Sequence, residues 1–171
     1  RADVVGLAEI ENEQVVRDLV LRLTTDYCYV CINGGDSNGR DLAFLYKGDR
    51  FEVERAWLTE CGFSREFLNV RGWLLGVPIH FVVCHLPSVF REKEVRESVL
   101  KSLQQHVASI AAENPELKIV VMGDMNWVYD KEKQSLLNYE APLLTLSEKG
   151  YGSYNIKGRW SLIDNIFICG G

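Results

Sequence analysis

The sequence predicts an α/β fold in which two β-sheets pack face to face and helices cover their outer surfaces. Short apolar runs with the length and turn signals of strands recur along the 171 residues. Two longer segments have helical periodicity and divide those strands into groups. Strands in runs separated by a few helices are typical of a sheet-on-sheet core with helices outside it.

The composition is that of an ordinary globular domain. Hydrophobic residues make up 47% and charged residues 25% of the chain. No apolar run approaches the length of a transmembrane helix, so we expect no membrane span. We expect residues 1–171 to form a single domain and a monomer, truncated at both ends because an apolar run lies next to each end. The sequence does not indicate a cellular compartment.

The net charge of −5 argues against a protein that coats nucleic acid non-specifically, because phosphate contacts require clustered Lys and Arg. It leaves a nuclease open, since a bound cation offsets the acidic residues of a metal site.

The cysteines are predicted to be small buried hydrophobic residues in a reducing compartment, because they are odd in number and several lie in apolar runs. Cys28 and Cys31 form a C-x-x-C pair, but no second pair or suitably spaced histidine completes a zinc site.

The N-terminal half is predicted to contain four strands and one helix. Apolar residues at helical spacing, next to the capping residue Asn12, predict a helix over 11–23. A Gly- and Asp-rich turn over 34–39 separates the following strands. The strands are predicted over 4–7, 27–32, 42–46 and 51–58.

The C-terminal half is predicted to begin with a hairpin, over 67–75 and 77–84, around Gly76. A long helix over about 92–113 stops where Asn114 precedes a proline. A fully apolar strand over 119–122 follows, then a loop-rich region with a helical signal near 133–137. Two closing strands are predicted over 151–156 and 160–168.

The segment Gly123-Asp124-Met125-Asn126 follows an apolar strand and carries the sharpest chemical signal. Side chains two apart on a strand share a face, so Asp124 and Asn126 are predicted to point the same way. A carboxylate beside an amide suits a hard cation or a water nucleophile. A strand-ending turn favours the same residues, so this segment alone does not decide between the two interpretations.

Glu9 follows the first strand and is predicted to share a face with Val5 and Leu7. A glutamate at the mouth of a buried strand is more often solvated than bound to a metal. Glu11 has the same predicted face and is the competing candidate.

His85 follows a buried strand and precedes a Leu-Pro-Ser turn. It is predicted to share a face with Phe81 and Val83, opposite His80, so the two histidines do not chelate one ion from a regular strand. His85 could contact a phosphate or act as a general acid. A hydrogen-bonded structural histidine is the alternative.

Asp164 is predicted in the middle of the apolar strand over 160–168, where a carboxylate is costly unless it is paired. A structural ion pair with an arginine would account for it. So would a carboxylate that orients a catalytic histidine.

Taken in order, these segments resemble the endonuclease/exonuclease/phosphatase superfamily, which includes pancreatic deoxyribonuclease and the abasic-site endonucleases. Each motif is weak alone, and their common order carries the resemblance; the last is similar to a bacterial subgroup. The motifs are 3–12 with Glu9, 39–46, Ser64-Arg65, His85-Leu86-Pro87-Ser88, Gly123-Asp124-Met125-Asn126 and 152–164 with Asp164.

The resemblance implies a four-layer αββα sandwich of two mixed β-sheets flanked by helices, lacking edge strands at both termini. It implies that Glu9 binds Mg²⁺, with Mn²⁺ as an alternative, and that Arg65 and Asn126 contact the substrate phosphate. The implied reaction is in-line attack of water on a phosphodiester or phosphomonoester. DNA or another nucleic acid is a candidate substrate.

The resemblance also implies roles for the remaining polar residues. Asp124 would position the attacking water, and His85 would contact the scissile phosphate. Asp164 would orient a catalytic histidine that the family supplies from a later Ser-Asp-His motif. Arg91 and Arg96 follow His85, and we expect Arg96 to face solvent while Arg91 could face substrate or solvent.

The chain departs from the family pattern in three places. An Asn-bearing strand before the first motif and the Ser-Asp-His strand are not in the chain, and Trp127 stands where the family commonly has Asp. The two missing strands motivate an alternative function, a binding module that keeps the phosphoesterase fold without turnover, although truncation of a longer protein explains them better.

Overall fold

The computed structural model describes residues 2–35, 40–127 and 139–169. Within these ranges the elements in chain order are β1 (Val4–Ile10), α1 (Glu13–Arg22), β2 (Cys28–Cys31), β3 (Asp41–Tyr46), β4 (Phe51–Gly62), β5 (Arg65–Leu74), β6 (Val77–His85), α2 (Lys93–Glu113), β7 (Lys118–Asp124), α3 (Leu144–Glu148), β8 (Tyr154–Ile156), β9 (Arg159–Ser161) and β10 (Asp164–Cys169).

The strands form two sheets and a short hairpin. The smaller sheet has the order β1-β3-β2 and is antiparallel throughout. The larger sheet has the order β10-β7-β6-β5-β4, and it is mixed because β6 and β7 are parallel. Parallel neighbours require a crossover, which α2 provides. Strands β8 and β9 form the separate hairpin.

The two sheets pack through an apolar core built from their facing sides. Phe44, Phe51 and Phe81 lie in this core, and each is at most 2% exposed. Their ring centroids are 5.1 to 5.7 Å apart, a distance at which aromatic pairs attract each other. Gly6 allows the close approach of β1, because a Cβ atom there would lie 2.9 Å from Met122 Sδ.

The helices cover the outer faces of the two sheets. Val16 of α1 packs against Ala43 and Leu45 of the smaller sheet. Val99 and Leu103 of α2 belong to the core on the outer side of the larger sheet. The predicted α/β class with two packed sheets and outer helices is therefore confirmed. No helix of the described ranges is long and apolar enough to cross a membrane.

Most predicted elements are present, and the clearest differences concern β4 and β5, the closing strands and one additional short helix. Strands β4 and β5 continue beyond the predicted bounds and meet at a tight turn, in which Phe63 and Ser64 have positive φ angles of 56° and 55°. The predicted strand over 160–168 is two strands, β9 and β10. The short helix α3 was not predicted, and the helical signal near 133–137 lies outside the described residues.

Asn69, His80 and His106 form a buried polar cluster between β5, β6 and α2. The Nε2 groups of His80 and His106 lie 3.0 and 2.7 Å from Asn69 Oδ1, and both donate to this carbonyl oxygen. The Asn69 amide group in turn donates to Thr59 Oγ1. Burial, with a smaller effect of His106, lowers the pKa of His80 to about 4. The cluster therefore holds neutral imidazoles between the sheet and α2.

The five cysteines are free thiols, and the predicted burial is correct for Cys61, Cys84 and Cys169 but not for Cys28. Cys28 is exposed and Cys31 half-buried, and the two do not form a disulfide.

Candidate active site

Three of the predicted site residues lie in a row across one end of the larger sheet. His85 ends β6 and Asp124 ends β7, and the parallel pairing makes them register partners. Asp164 begins β10 and is the register partner of Asp124 on the other side. Neighbouring strands lie about 5 Å apart, and register partners share a face. The three side chains therefore converge on the face that looks toward the smaller sheet.

Glu9 reaches this row from the smaller sheet through a local irregularity. Val5 and Leu7 pack on the α1 side, so regular alternation would turn Glu9 to that side as well. Instead, the pairing of β1 with β3 shifts register next to Glu9, whose φ is 58°. Glu9 Oε1 consequently lies 4.0 Å from His85 Nε2. The predicted face of Glu9 was wrong, and the competing Glu11 lies exposed before α1.

Arg65 determines the tautomer of His85. Arg65 Nη1 lies 3.2 Å from His85 Nδ1. Because a guanidinium group only donates hydrogen bonds, Nδ1 accepts and the proton of the neutral ring is on Nε2. His85 Nε2 lies 3.7 Å from Asp124 Oδ2 and 4.0 Å from Glu9 Oε1, both too long for a direct hydrogen bond. Among the described residues, the Nε2–H group thus remains available to a ligand.

Burial keeps His85 neutral. The side chain is 5% exposed. Burial, and after it the charge of Arg65, lowers the pKa of His85; Arg40 also lowers it, while Glu9 and Asp164 raise it. A neutral imidazole acts here as a hydrogen-bond donor rather than as a cation. No sequence pattern had pointed to Arg40.

Asp124 is half-buried and lies beside two exposed carboxylates, those of Glu9 and Asp164. Burial raises the pKa of Asp124, the backbone N–H of Asn126 lowers it, and the charges of Asp164 and Glu9 raise it further. Arg65 lowers the pKa of Asp124 by a smaller amount. The three carboxylates therefore repel one another, and a bound cation would relieve that repulsion.

Asn126 approaches Asp124 because the chain turns after β7. The sequence had predicted instead that the two side chains share one face of a continuous strand, and this was wrong. Asn126 lies beyond the end of β7 with a φ of 47°. Its N–H donates to Asp124 Oδ1 at 2.7 Å, and its Nδ2 lies 3.3 Å from Asp124 Oδ2. Nδ2 also donates to the carbonyl oxygen of Leu86 at 2.9 Å. Asn126 therefore orients Asp124 and ties it to the segment that follows His85.

Asp164 is exposed at the start of β10, which corrects its predicted position in the middle of a buried strand. The error followed from treating β9 and β10 as one strand. Its backbone N–H donates to Ser153 Oγ at 3.1 Å, and the N–H of Ile163 lies 3.3 Å from the same oxygen. Ser153 therefore positions the start of β10, a role that no sequence pattern predicted.

The residues at this site fit a magnesium ion by their donor chemistry. In the ranges 2–35, 40–127 and 139–169, no group of three or more His, Cys, Asp or Glu side chains is arranged to hold a metal. Mg²⁺ needs fewer, since it usually takes one or two carboxylates together with waters and substrate phosphate oxygens. The Glu9 side chain is 68% exposed and offers such a carboxylate. The mutual repulsion of Glu9, Asp124 and Asp164 favours a cation beside them.

The two arginines that follow His85 have different surroundings. Arg91 and Arg65 line one cavity of about 470 Å³. The guanidinium of Arg96 lies 5.2 Å from the ring centroid of Trp127, which is a cation–π contact. Arg96 is therefore half-buried against Trp127 rather than fully solvated.

Two packed sheets with acidic, amide and imidazole groups at one common end define a class of domains, the endonuclease/exonuclease/phosphatase fold. The model of the endonuclease/exonuclease/phosphatase family matches residues 1–171, and the chain belongs to this family. Among curated protein sequences, none matches this chain significantly.

Solved structures with this fold come from several organisms. Truncated TDP2 from Caenorhabditis elegans is 19% identical, with a TM-score of 0.75 over 98% of this chain and 71% of that chain. The human Nocturnin catalytic domain with bound sulfate is 18% identical, with a TM-score of 0.73 over 97% of this chain and 68% of that one. A mannosyl-6-phosphatase from Bacteroides thetaiotaomicron is 15% identical, with a TM-score of 0.73 and coverages of 97% and 70%. These likenesses establish the fold.

Proposed function

We propose that the protein is a metal-dependent phosphoesterase that hydrolyses a phosphodiester or phosphomonoester by in-line attack of water. The observation that carries this proposal is the convergence of Glu9, His85 and Asp124. His85 Nε2 lies within 4.0 Å of carboxylate oxygens from both sheets. One space is thus surrounded by a hydrogen-bond acceptor for water in Asp124, a donor for a phosphate oxygen in His85 and a carboxylate for a cation in Glu9.

Asp124 is the residue assigned to hold the attacking water. A carboxylate has several lone-pair positions, so the two contacts from Asn126 leave others for a water hydrogen. Those contacts fix the orientation of the carboxylate before substrate binds. Asn126 is in addition assigned to the non-bridging phosphate oxygens, as the family resemblance implies; for this its Nδ2 group would exchange the 3.3 Å contact with Asp124 Oδ2 for the phosphate, while the backbone N–H keeps its contact with Asp124 Oδ1.

His85 is assigned to stabilise charge on the scissile phosphate. Its Nε2–H group can donate to a non-bridging oxygen, where negative charge develops during attack. Arg65 supports this role in two ways, by holding the tautomer of His85 and by placing a positive charge beside the phosphate.

Glu9 is assigned to bind Mg²⁺, with Mn²⁺ as the alternative ion. A divalent ion at this position would neutralise charge on the phosphate oxygens. Asp164, exposed beside Asp124, is assigned the positioning role that the resemblance implies, the orientation of a catalytic histidine.

The substrate is assigned as a phosphate ester, with DNA or another nucleic acid as the first candidate. The protein is assigned to act as a monomer. The relative named as a mannosyl-6-phosphatase supports a phosphomonoester as the second candidate.

The decisive experiment compares hydrolysis of bis-p-nitrophenyl phosphate and p-nitrophenyl phosphate with Mg²⁺, with Mn²⁺ and with EDTA. We expect metal-dependent turnover that falls about 10²- to 10⁴-fold in Asp124→Asn. Asp26→Asn is the matched control, since Asp26 lies in the connection between α1 and β2. A folded wild-type protein without turnover on either ester would favour the alternative, a binding module that keeps this fold.

A further inference from the structure

A cavity of about 470 Å³ adjoins the candidate active site, between the β4–β5 turn and the start of α2. We call it the arginine cavity, and its key lining residues are Arg40, Phe63, Arg65, Phe90 and Arg91. It is continuous with the site because Arg65 hydrogen-bonds His85. The charge of Arg40 also acts on the pKa of that histidine.

The arginine cavity is positive although the whole chain has a net charge of −5. Three arginines line it together with one carboxylate, that of Glu92. Arg65 is already committed to His85 and the scissile phosphate. Arg91, on the segment before α2, is exposed and would hold a second anionic group.

Two exposed aromatic rings line the same cavity. Phe63 is 60% and Phe90 is 94% exposed. Large apolar side chains that gather at a concave, charged surface are typical of a ligand-binding site. The combination of aromatic rings with guanidinium groups matches a ligand that has both flat aromatic parts and phosphates.

The backbone at Phe63 supports a role for its ring. Phe63 and Ser64 are the central residues of the turn between β4 and β5, with φ angles of 56° and 55°. Hairpin turns with two positive φ angles strongly prefer Asn-Gly, because bulky residues are strained there. The Phe-Ser pair is therefore conformationally unfavourable in this turn. A contact between the Phe63 ring and a ligand would explain why a phenylalanine occupies the position.

We propose that the arginine cavity binds the nucleotide next to the scissile phosphate of a single-stranded nucleic acid. The base would contact Phe63 and Phe90, and the adjacent phosphate would contact Arg91. This inference rests on the proposed function, since it names the substrate of the same site. A single strand is required because base pairing and stacking in a duplex hide the faces that the rings would contact.

The test measures binding without turnover, in EDTA, by fluorescence anisotropy of a labelled oligothymidylate. An abasic oligomer of equal length and charge, and a duplex of equal length, are compared with it. We expect the wild-type protein to bind the base-bearing single strand most tightly. Phe90→Ala and Phe63→Asn should each weaken that binding by about tenfold and reduce the preference over the abasic strand.

The arginine contributes in a way that salt dependence reveals. Arg91→Gln should weaken binding of the base-bearing and abasic strands alike. It should also make the slope of log affinity against log salt shallower by about 0.7, the value for one phosphate contact with a single strand. Arg22→Gln is the charge control, since Arg22 is the exposed last residue of α1 and does not line the cavity.

Phe63→Asn separates ligand binding from folding. Asn adopts positive φ more readily than Phe, so its thermal unfolding midpoint should equal or exceed that of the wild type. A structural role for Phe63 predicts the reverse, a lower midpoint with unchanged affinity.

The proposal is overturned if the wild type binds no oligothymidylate, binds the abasic strand or the duplex as tightly, or keeps its affinity in the two Phe variants. Its failure is distinct from that of the proposed function. Hydrolysis of bis-p-nitrophenyl phosphate with unchanged affinity in the variants rejects the cavity assignment alone. If the wild type does not hydrolyse the ester but the Phe variants bind the oligomer more weakly, the hydrolase function is rejected and the nucleotide-binding assignment stands.

Discussion

His85 and Asp124 are register partners at the ends of parallel strands, with His85 Nε2 3.7 Å from Asp124 Oδ2. Burial lowers the pKa of His85 and raises the pKa of Asp124, so the surroundings disfavour the charged form of both groups. The pair is too far apart for a direct hydrogen bond. A bridging ligand, such as a phosphate oxygen with its attacking water, would satisfy both groups.

Glu9→Gln should raise the Mg²⁺ concentration that gives half-maximal hydrolysis, by about 10- to 100-fold. The neutral amide keeps the shape of the side chain but loses the charge that a hard cation prefers. Glu11→Gln is the matched control, because Glu11 lies exposed before α1. The measurement is a Mg²⁺ titration of the hydrolysis rate for each variant. A larger effect in Glu11→Gln than in Glu9→Gln would transfer the metal assignment to Glu11.

Arg65→Gln should raise the pKa of His85 in the metal-free protein. The positive charge of Arg65 is, after burial, the largest influence that lowers this pKa. Glutamine removes the charge and retains an N–H donor for Nδ1, so the tautomer is preserved. An NMR titration of the imidazole signals measures the change, with Arg22→Gln as the control. An unchanged or lower pKa would show that Arg65 does not act on His85 through its charge.

Asn126→Gly and Asn126→Ala should differ in stability and agree in activity. Both variants lose the amide that contacts Leu86 and Asp124, so both should lose hydrolytic rate. Only alanine is strained at a φ of 47°, which should make it less stable than glycine by about 1 kcal/mol.

Urea unfolding and hydrolysis of bis-p-nitrophenyl phosphate measure the two effects of the Asn126 substitutions. Equal stability of the two variants would mean that the turn relaxes to another conformation. Full activity in Asn126→Gly would mean that only the backbone N–H is needed to orient Asp124.

Protonation of His80 should destabilise the protein in acid. Burial lowers the folded-state pKa of His80 from 6.5 to about 4, so between these pH values the unfolded chain binds more protons. Stability contributed by neutral His80 is therefore complete above pH 6.5 and is lost as pH falls toward 4. The full difference corresponds to roughly 3 kcal/mol.

Urea unfolding at pH 7.5, 5.5 and 4.5 measures this loss. His80→Gln retains an N–H donor for Asn69 and should have a shallower pH dependence than the wild type. His85 and His106 also have lowered pKa values and contribute to the total, so the difference between the two slopes isolates His80. Parallel slopes would contradict the assigned pKa.

Strands and helices were predictable where apolar residues recur along a segment with the period of its buried face. Phe81 and Val83 alternate with residues of the opposite face, and this local pattern correctly placed His85 on their face and His80 on the opposite one. The prediction failed at Glu9 and over 160–168, where a register shift and a strand break interrupt the alternation. Neither interruption has a local hydrophobic signal.

The aromatic residues of the arginine cavity could not be recognised along the chain, although Arg65 and Arg91 were candidates for substrate contact. Phe63 and Phe90 are separated in sequence and follow no periodic pattern, and only the pairing of β4 with β5 and the position of α2 bring them to one cavity. The same holds for Ser153, which acts on β10 through two hydrogen bonds to its start.

The sequence by itself determined most of the strands, the two long helices and the polar residues His85 and Asp124 at strand ends, because burial periodicity and turn preferences act within short segments. The order of its motifs also resembled that of the endonuclease/exonuclease/phosphatase family, whose model matches residues 1–171. Only the tertiary structure decided which face Glu9 presents, which tautomer His85 adopts and which side chains share its cavity. Those properties depend on contacts between distant residues, such as Arg65 with His85, 20 positions apart. Long-range packing selects these contacts, and no local pattern encodes them.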